Sequence, residues 1–140
     1  MTELTRAQRN NNPGNIDRTN IRWLGMAADQ SGDPRFIVFV DAAHGFRAMA
    51  RIIHGHFGQF NTVRQIINRW APPVENDSQA YVNDVANRMG VTPDRILTWA
   101  IDALPLLRAI AIHENGTDEN GKCLWPDSVI IDGINMEQTT

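Results

Sequence analysis

The sequence predicts a mainly α domain (α+β overall) with a small loop-and-strand lobe at its N-terminus. Three observations carry this. Apolar residues recur at helical spacing from residue 41 onward, the stretch 10–40 is dense in turn residues, and the segment 106–112 is apolar almost all round. A chain of 140 residues with 42% apolar and 21% charged residues can bury one core.

The stretch 10–40 holds Asn10, Asn11, Asn12, Pro13, Gly14 and Asn15, then Trp23-Leu24-Gly25, then Ser31-Gly32-Asp33-Pro34, all turn chemistry. Within it, the β-branched and aromatic run 36–40 predicts a strand, and 16–21 a second short one. Asp41 caps a first helix whose stripe is Phe46, Met49, Ala50, Ile53 and Phe57, and Gly55 ends it. Val63, Ile66, Ile67 and Trp70 mark a second helix, stopped at Ala71-Pro72-Pro73. Asn76 or Asp77 caps a third, with Val82, Val85, Ala86 and Met89 inward and Gly90 at its end. Thr92-Pro93 reads as a cap followed by proline, which predicts a fourth helix to about residue 103. Pro105 starts the last helix and Gly116 stops it. Its apolar faces make it the buried central helix. Residues 117–140 are acidic and turn-rich, with a short extended run at 129–131. The chain therefore divides into a domain over 1–116 and a C-terminal extension over 117–140, packed on it or tailing from it.

A net charge of -3 argues against a nucleic-acid partner. Arg47 and Arg51, one helical turn apart, read as a solvated helix face. The single Cys123 excludes an internal disulfide framework and suits a reducing cytosol. The first twelve residues are polar, so no secretory signal is expected. Asp102, Pro105 and Arg108 interrupt the last apolar run, so no membrane insertion is expected. A role outside the cytoplasm then needs another carrier, such as a virion or a lysis event. His54 and His56 do not share a helix face, and no third ligand completes a metal site. No metal and no cofactor are expected. Cys123 has no base beside it to act as a nucleophile.

The residue that points to chemistry is Glu114. It stands at the C-terminal end of the last helix, where the helix dipole disfavours a carboxylate. Three, four and seven residues back lie Ala111, Ile110 and Leu107, so its face is apolar. Burial and the helix end both favour a protonated carboxyl, as general-acid chemistry requires. Glycoside hydrolysis commonly adds a second carboxylate, for which Asp17, Asp29, Asp33, Asp41 and Glu75 are candidates, or a substrate group in its place. The Asn-rich turn 10–15 offers N–H groups and amides to a polar ligand such as a sugar. Of Trp23, Trp70, Trp99 and Trp125, Trp23 in its polar loop is the better stacking platform, while Trp70 and Trp99 sit at core spacing. Tyr81, the only tyrosine, needs a partner for its hydroxyl if buried.

Two stretches together resemble the lysozyme-like superfamily of peptidoglycan-cleaving enzymes. The segment 106–116 looks like the helix of goose-type lysozymes, lytic transglycosylases and bacterial glucosaminidases that ends in the catalytic glutamate. Those families usually continue with serine, where this chain has Asn115. The second stretch comprises Asn11-Asn12-Pro13-Gly14-Asn15-Ile16, Trp23-Leu24-Gly25, the run 36–41 and His44-Gly45-Phe46-Arg47-Ala48-Met49. It is similar to the lobe that follows the glutamate in the glucosaminidase group. There the glutamate helix comes first, and here it comes last. The chain thus resembles a circularly permuted lysozyme-like fold, which neighbouring surface termini permit. The arrangement is similar to the virion-borne lytic proteins of enveloped double-stranded-RNA phages. It is also similar to phage proteins, usually labelled only as structural, that share the Asn-rich turn and the run Arg69-Trp70-Ala71-Pro72-Pro73-x-Glu75-Asn76-Asp77. The likeness covers about residues 8–116.

The resemblance implies a phage-encoded enzyme that cuts the peptidoglycan glycan strand with a single glutamate, Glu114, as general acid/base. It places Tyr81 on the sugar N-acetyl group, and Asn12, Gly14 and Asn15 on the loop lining the cleft. The substrate's acetamido or 6-hydroxyl group would complete a transglycosylase reaction. A carboxylate such as Asp41 standing opposite would favour hydrolysis. The implied partners are the glycan strand and other virion proteins, and the implied place of action is the bacterial wall or periplasm after synthesis in the host cytoplasm. A reading of another class is a non-catalytic virion structural protein that keeps the shape, with the acidic tail as docking segment. Peptide-bond cleavage is disfavoured, since neither a metal site nor a Cys/His pair is evident.

Overall fold

Local sequence signals start most of the helices. In the computed structural model, which describes residues 3–72 and 77–139, Thr5 and Gln8 form a reciprocal capping box that opens α1 (Arg6–Asn10). Asp41 caps α2 (Ala42–His54) by accepting from the His44 amide at 2.9 Å. Thr62 caps α3 (Val63–Trp70) through the Gln65 amide. Asp77 caps α4 (Ser78–Met89) through the Ala80 amide, and Gly90 ends it with φ 71°, the left-handed value that glycine adopts freely. The alternative cap, Asn76, lies outside the described residues.

The expected helix from Pro93 to about residue 103 is corrected. The chain over 92–98 is irregular, and α5 runs unbroken over Trp99–Asn115 with Pro105 inside it. Asp102 fixes the true start by accepting from the Thr98 amide at 2.7 Å. Pro105 removes the N–H that would reach the carbonyl of Ile101, and Ile101 lies on the exposed side, where water can take that bond. The extended run expected at 129–131 is corrected too, because it belongs to α6 (Asp127–Thr139).

The strands expected over 36–40 and 16–21 are reduced to isolated bridges, Asp17 with Phe36 and Met26 with Phe39. Ile37 and Phe39 do alternate inward as a strand's residues would. Their N–H groups reach the backbone carbonyls of Ile16 and Asn10, but side-chain amides supply much of the remaining pairing. Gln30 exchanges two bonds with Val38, Asn12 donates to the Ile37 carbonyl, and Asn11 donates to the Phe39 carbonyl.

The described architecture is thus mainly helical, with α5 central. Leu106, Leu107, Ile110 and Ala111 are fully buried, and α5 meets α2, α4 and α6. The most intimate pair is α2 with α6, and Gly133 makes it so. A Cβ on Gly133 would stand 2.7 Å from the Ala43 carbonyl oxygen. On another face of α2, Gly45 admits the Asn-rich turn, whose Asn11 carbonyl and Pro13 ring occupy the space of a Cβ. Ile130 and Ile134 of α6 join the same apolar cluster as Phe46, Met49 and Leu107.

Buried Asp33 organises the N-terminal lobe. It accepts two bonds from Arg6 at 2.6 and 2.7 Å, one from Asn10 at 2.8 Å, and the amides of Arg35 and Phe36. The Arg6 guanidinium, helped by these amides, holds Asp33 well below the usual carboxylate range despite its burial.

Candidate functional site

The end of α5, the start of α4, the end of α3 and the Asn-rich turn converge on Glu114. Its Oε2 accepts from the Tyr81 hydroxyl at 2.7 Å, and its Oε1 lies 3.3 Å from the Asn15 amide nitrogen. Burial, then the neighbouring Glu114 carboxylate, pushes the Tyr81 hydroxyl well above its ordinary value, so it remains a proton donor. The Trp70 indole acts in the opposite sense on Tyr81, favouring its ionised form, but is outweighed. Behind Tyr81, His113 stacks on its ring with centroids 3.7 Å apart, and His113 Nδ1 lies 2.8 Å from Asp84. Burial would raise Asp84, but His113 and Arg88 outweigh it and hold that carboxyl below its usual value. Tyr81 is thus backed by His113 and aimed at Glu114.

The turn is held as firmly. Asn15 takes a left-handed φ of 49°, and Asn115 donates to the Pro13 carbonyl at 2.9 Å. Gly14 passes against Trp70 and Met49, where a Cβ would come within 2.8 Å of the indole.

Glu114 lies in a cleft of about 1030 Å³. Asn15, Asp17, Arg35 and Phe36 line it from the N-terminal lobe, and His56, Phe60, Arg69 and Trp70 from the region of α2 and α3. Polar, charged and aromatic groups thus face the space around Glu114.

The structure separates the residues singled out in sequence. Glu114, Tyr81, Asn15 and Gly14 come together. Asn12 is corrected from a ligand contact to a structural post. It is fully buried, donates to the carbonyls of Ile16 and Ile37, and accepts from the Ile16 amide. Trp23 is corrected as well, since it lines a separate pocket with Arg22, Arg47 and Arg51 and packs on Ile37 and Phe39. Asp41 is spent on capping α2 and on His44 at 2.7 Å, and it does not line the cleft. The cleft's other described acid is Asp17, which pairs with Arg35 at 2.6 Å. Asp33 is buried in its own network, and Glu75 lies outside the described residues.

Trp70, read from the sequence as core, is the tryptophan on the cleft. Its helical stripe was legible, but its place at the last turn of α3, beside Gly14, was not. Trp99 instead stacks on His54 at 4.3 Å, and Trp125 meets Phe46 edge-on at 5.7 Å. His54 approaches Glu137 of α6 at 3.0 Å, while His56 lies 2.9 Å from Arg69. Among the described residues no three His, Cys, Asp or Glu side chains gather as a metal site, and no helix is long and apolar enough to cross a membrane. Burial raises the Cys123 thiol above its ordinary value.

Fold and site therefore define a mainly helical domain built around a glutamate-floored cleft. No family model matches the chain. Over 124 residues it is 38% identical to Protein P5 of Pseudoalteromonas phage PM2, covering 84% of this chain and 76% of that protein. The chain belongs to the family of this phage protein.

Proposed function

We propose that the cleft binds the glycan strand of peptidoglycan and that Glu114 cleaves it. The observation that carries this reading is a single acid at the end of the buried central helix, oriented by Tyr81 and Asn15 on the cleft floor. In this reading protonated Glu114 gives its proton to the glycosidic oxygen between N-acetylmuramic acid and N-acetylglucosamine. The bond from that oxygen to the anomeric carbon breaks. The muramic 6-hydroxyl then closes on that carbon and returns its proton to Glu114, giving an anhydro sugar. With Asp17 engaged by Arg35, the single-acid route needs no second carboxylate.

The same reading takes the domain as a lysozyme-like fold whose chain is circularly permuted. Support comes from the order of parts, since the lobe carrying the Asn-rich turn precedes the glutamate helix yet packs against its end. The protein would act in the bacterial wall, carried there as a virion component, with the glycan strand and other virion proteins as partners. Membership in a phage protein family supports that setting.

A second reading is a virion structural protein that keeps this shape without chemistry. It is favoured by one observation: both Glu114 oxygens already accept from side chains of the protein. Zymography on purified peptidoglycan separates the two. Clearing by the wild type and none by a folded Glu114→Gln variant is expected. Clearing by both would remove Glu114 from the chemistry, and clearing by neither on several wall types would favour the structural protein.

A further inference from the structure

We infer that Arg69 is the receptor for a carboxylate carried by the glycan in the Glu114 cleft, and so sets its preference for peptidoglycan over neutral N-acetylglucosamine polymers. This rests on the glycan reading above. Six arginines, at positions 6, 35, 64, 88, 95 and 108, each have an aspartate within ion-pair distance. Arg35 on the opposite wall of the cleft is among them, neutralised by Asp17. Arg69 differs. It lines the same cleft, and no carboxylate lies within ion-pair distance among the described residues.

Its position is nonetheless fixed. The guanidinium packs over the Phe60 ring at 5.3 Å and donates to His56 Nε2 at 2.9 Å. An arginine that donates to a histidine nitrogen keeps its full positive charge and most of its five N–H donors. Holding the fork in place beforehand lowers the entropy lost when an anion binds. A planar guanidinium pairs best with a carboxylate, through two parallel bonds. Peptidoglycan strands bear carboxylates on their lactyl groups or stem peptides, whereas chitin bears none. The cleft thus combines one acid for the glycosidic bond with one cation that has no counter-charge among the described residues, for a substituent of the sugar.

The test uses Glu114→Gln protein, designed to hold glycan without turning it over, and follows the change in intrinsic tryptophan fluorescence, to which Trp70 on the cleft wall contributes. The ligands are a muropeptide oligosaccharide, the same compound with its carboxylates amidated, and a chitin oligosaccharide. The carboxylated ligand should bind about tenfold tighter than the amidated one, the scale of one hydrogen bond to a charged group. Adding Arg69→Gln should abolish that difference and leave the two neutral ligands unchanged, while Arg69→Lys should restore part of it. Thermal melts establish that each variant is folded. Equal binding of carboxylated and amidated ligands, or a preference that survives Arg69→Gln, overturns the inference and leaves the glycan reading standing. Failure to bind any of the three ligands overturns both.

Discussion

Replacing Gly133 with alanine should loosen α6 from α2. A Cβ at this position would lie 2.6 Å from the Phe46 Cβ, 2.7 Å from the Ala43 carbonyl oxygen and 2.8 Å from the Arg47 amide nitrogen. None of these atoms can turn aside, since two are backbone and the third is bonded to it. Non-bonded carbons rest about 3.5 to 4.0 Å apart, so α6 must retreat by about 1 Å. Overpacking of this kind costs about 1 to 3 kcal/mol, and alanine's better helix propensity returns about 1 kcal/mol. The retreat also loosens Ile130 and Ile134, both buried against the same core. The balance, a net loss of up to about 2 kcal/mol, should lower the urea midpoint by up to about 1 M. Gly58→Ala is the control, since nothing lies within 4 Å of a Cβ there and no midpoint drop is expected. A Gly133→Ala midpoint at or above wild type would refute the close crossing, because propensity alone would then have decided the outcome.

Two further outcomes follow from the hydrogen-bond networks. Tyr81→Phe should cost about 1 to 3 kcal/mol, because it removes the hydroxyl that donates to Glu114 and leaves that oxygen short of a partner. Chemical denaturation measures the loss, and unchanged stability would mean that the network contributes little. Asp33 is held below its ordinary value by Arg6, so its contribution is complete at neutral pH and fades as the pH falls below about 4, where the unfolded chain takes up the proton more readily. Urea midpoints between pH 7 and pH 3 should show this acid limb in the wild type and a flatter one in Asp33→Asn, and parallel curves would refute it.

The helices with side-chain caps and apolar stripes were legible from sequence. Asp41 and Asp77 cap α2 and α4 by the bonds their residue types predict, and Gly90 ends α4. What escaped reading had its signal elsewhere. In α6 the buried positions are Ile130, Gly133, Ile134 and Glu137, a helical spacing in which only two members are apolar. The β-branched triplet at 129–131 therefore pointed to a strand. The apparent strand at 36–40 has the right alternation, yet Asn11, Asn12 and Gln30 supply bonds that a neighbouring strand would give. Asn12 looked like a ligand residue for the same reason that makes it structural: an amide can satisfy a donor and an acceptor together. At the candidate site, Glu114 was visible because a carboxylate on an apolar helix end is unusual. Arg69 and Trp70 reach the cleft only through the packing of α3, which no local pattern encodes.

The contacts between Asn15 and Glu114, and between Pro13 and Asn115, join positions separated by 99 and 102 residues. Such pairings are among the slowest to form, because a long loop must close before they give anything back. During synthesis the Asn-rich turn leaves the ribosome long before the helix it must meet. A nascent or truncated chain therefore carries no assembled cleft, and whatever the site does begins only once α5 has emerged and docked.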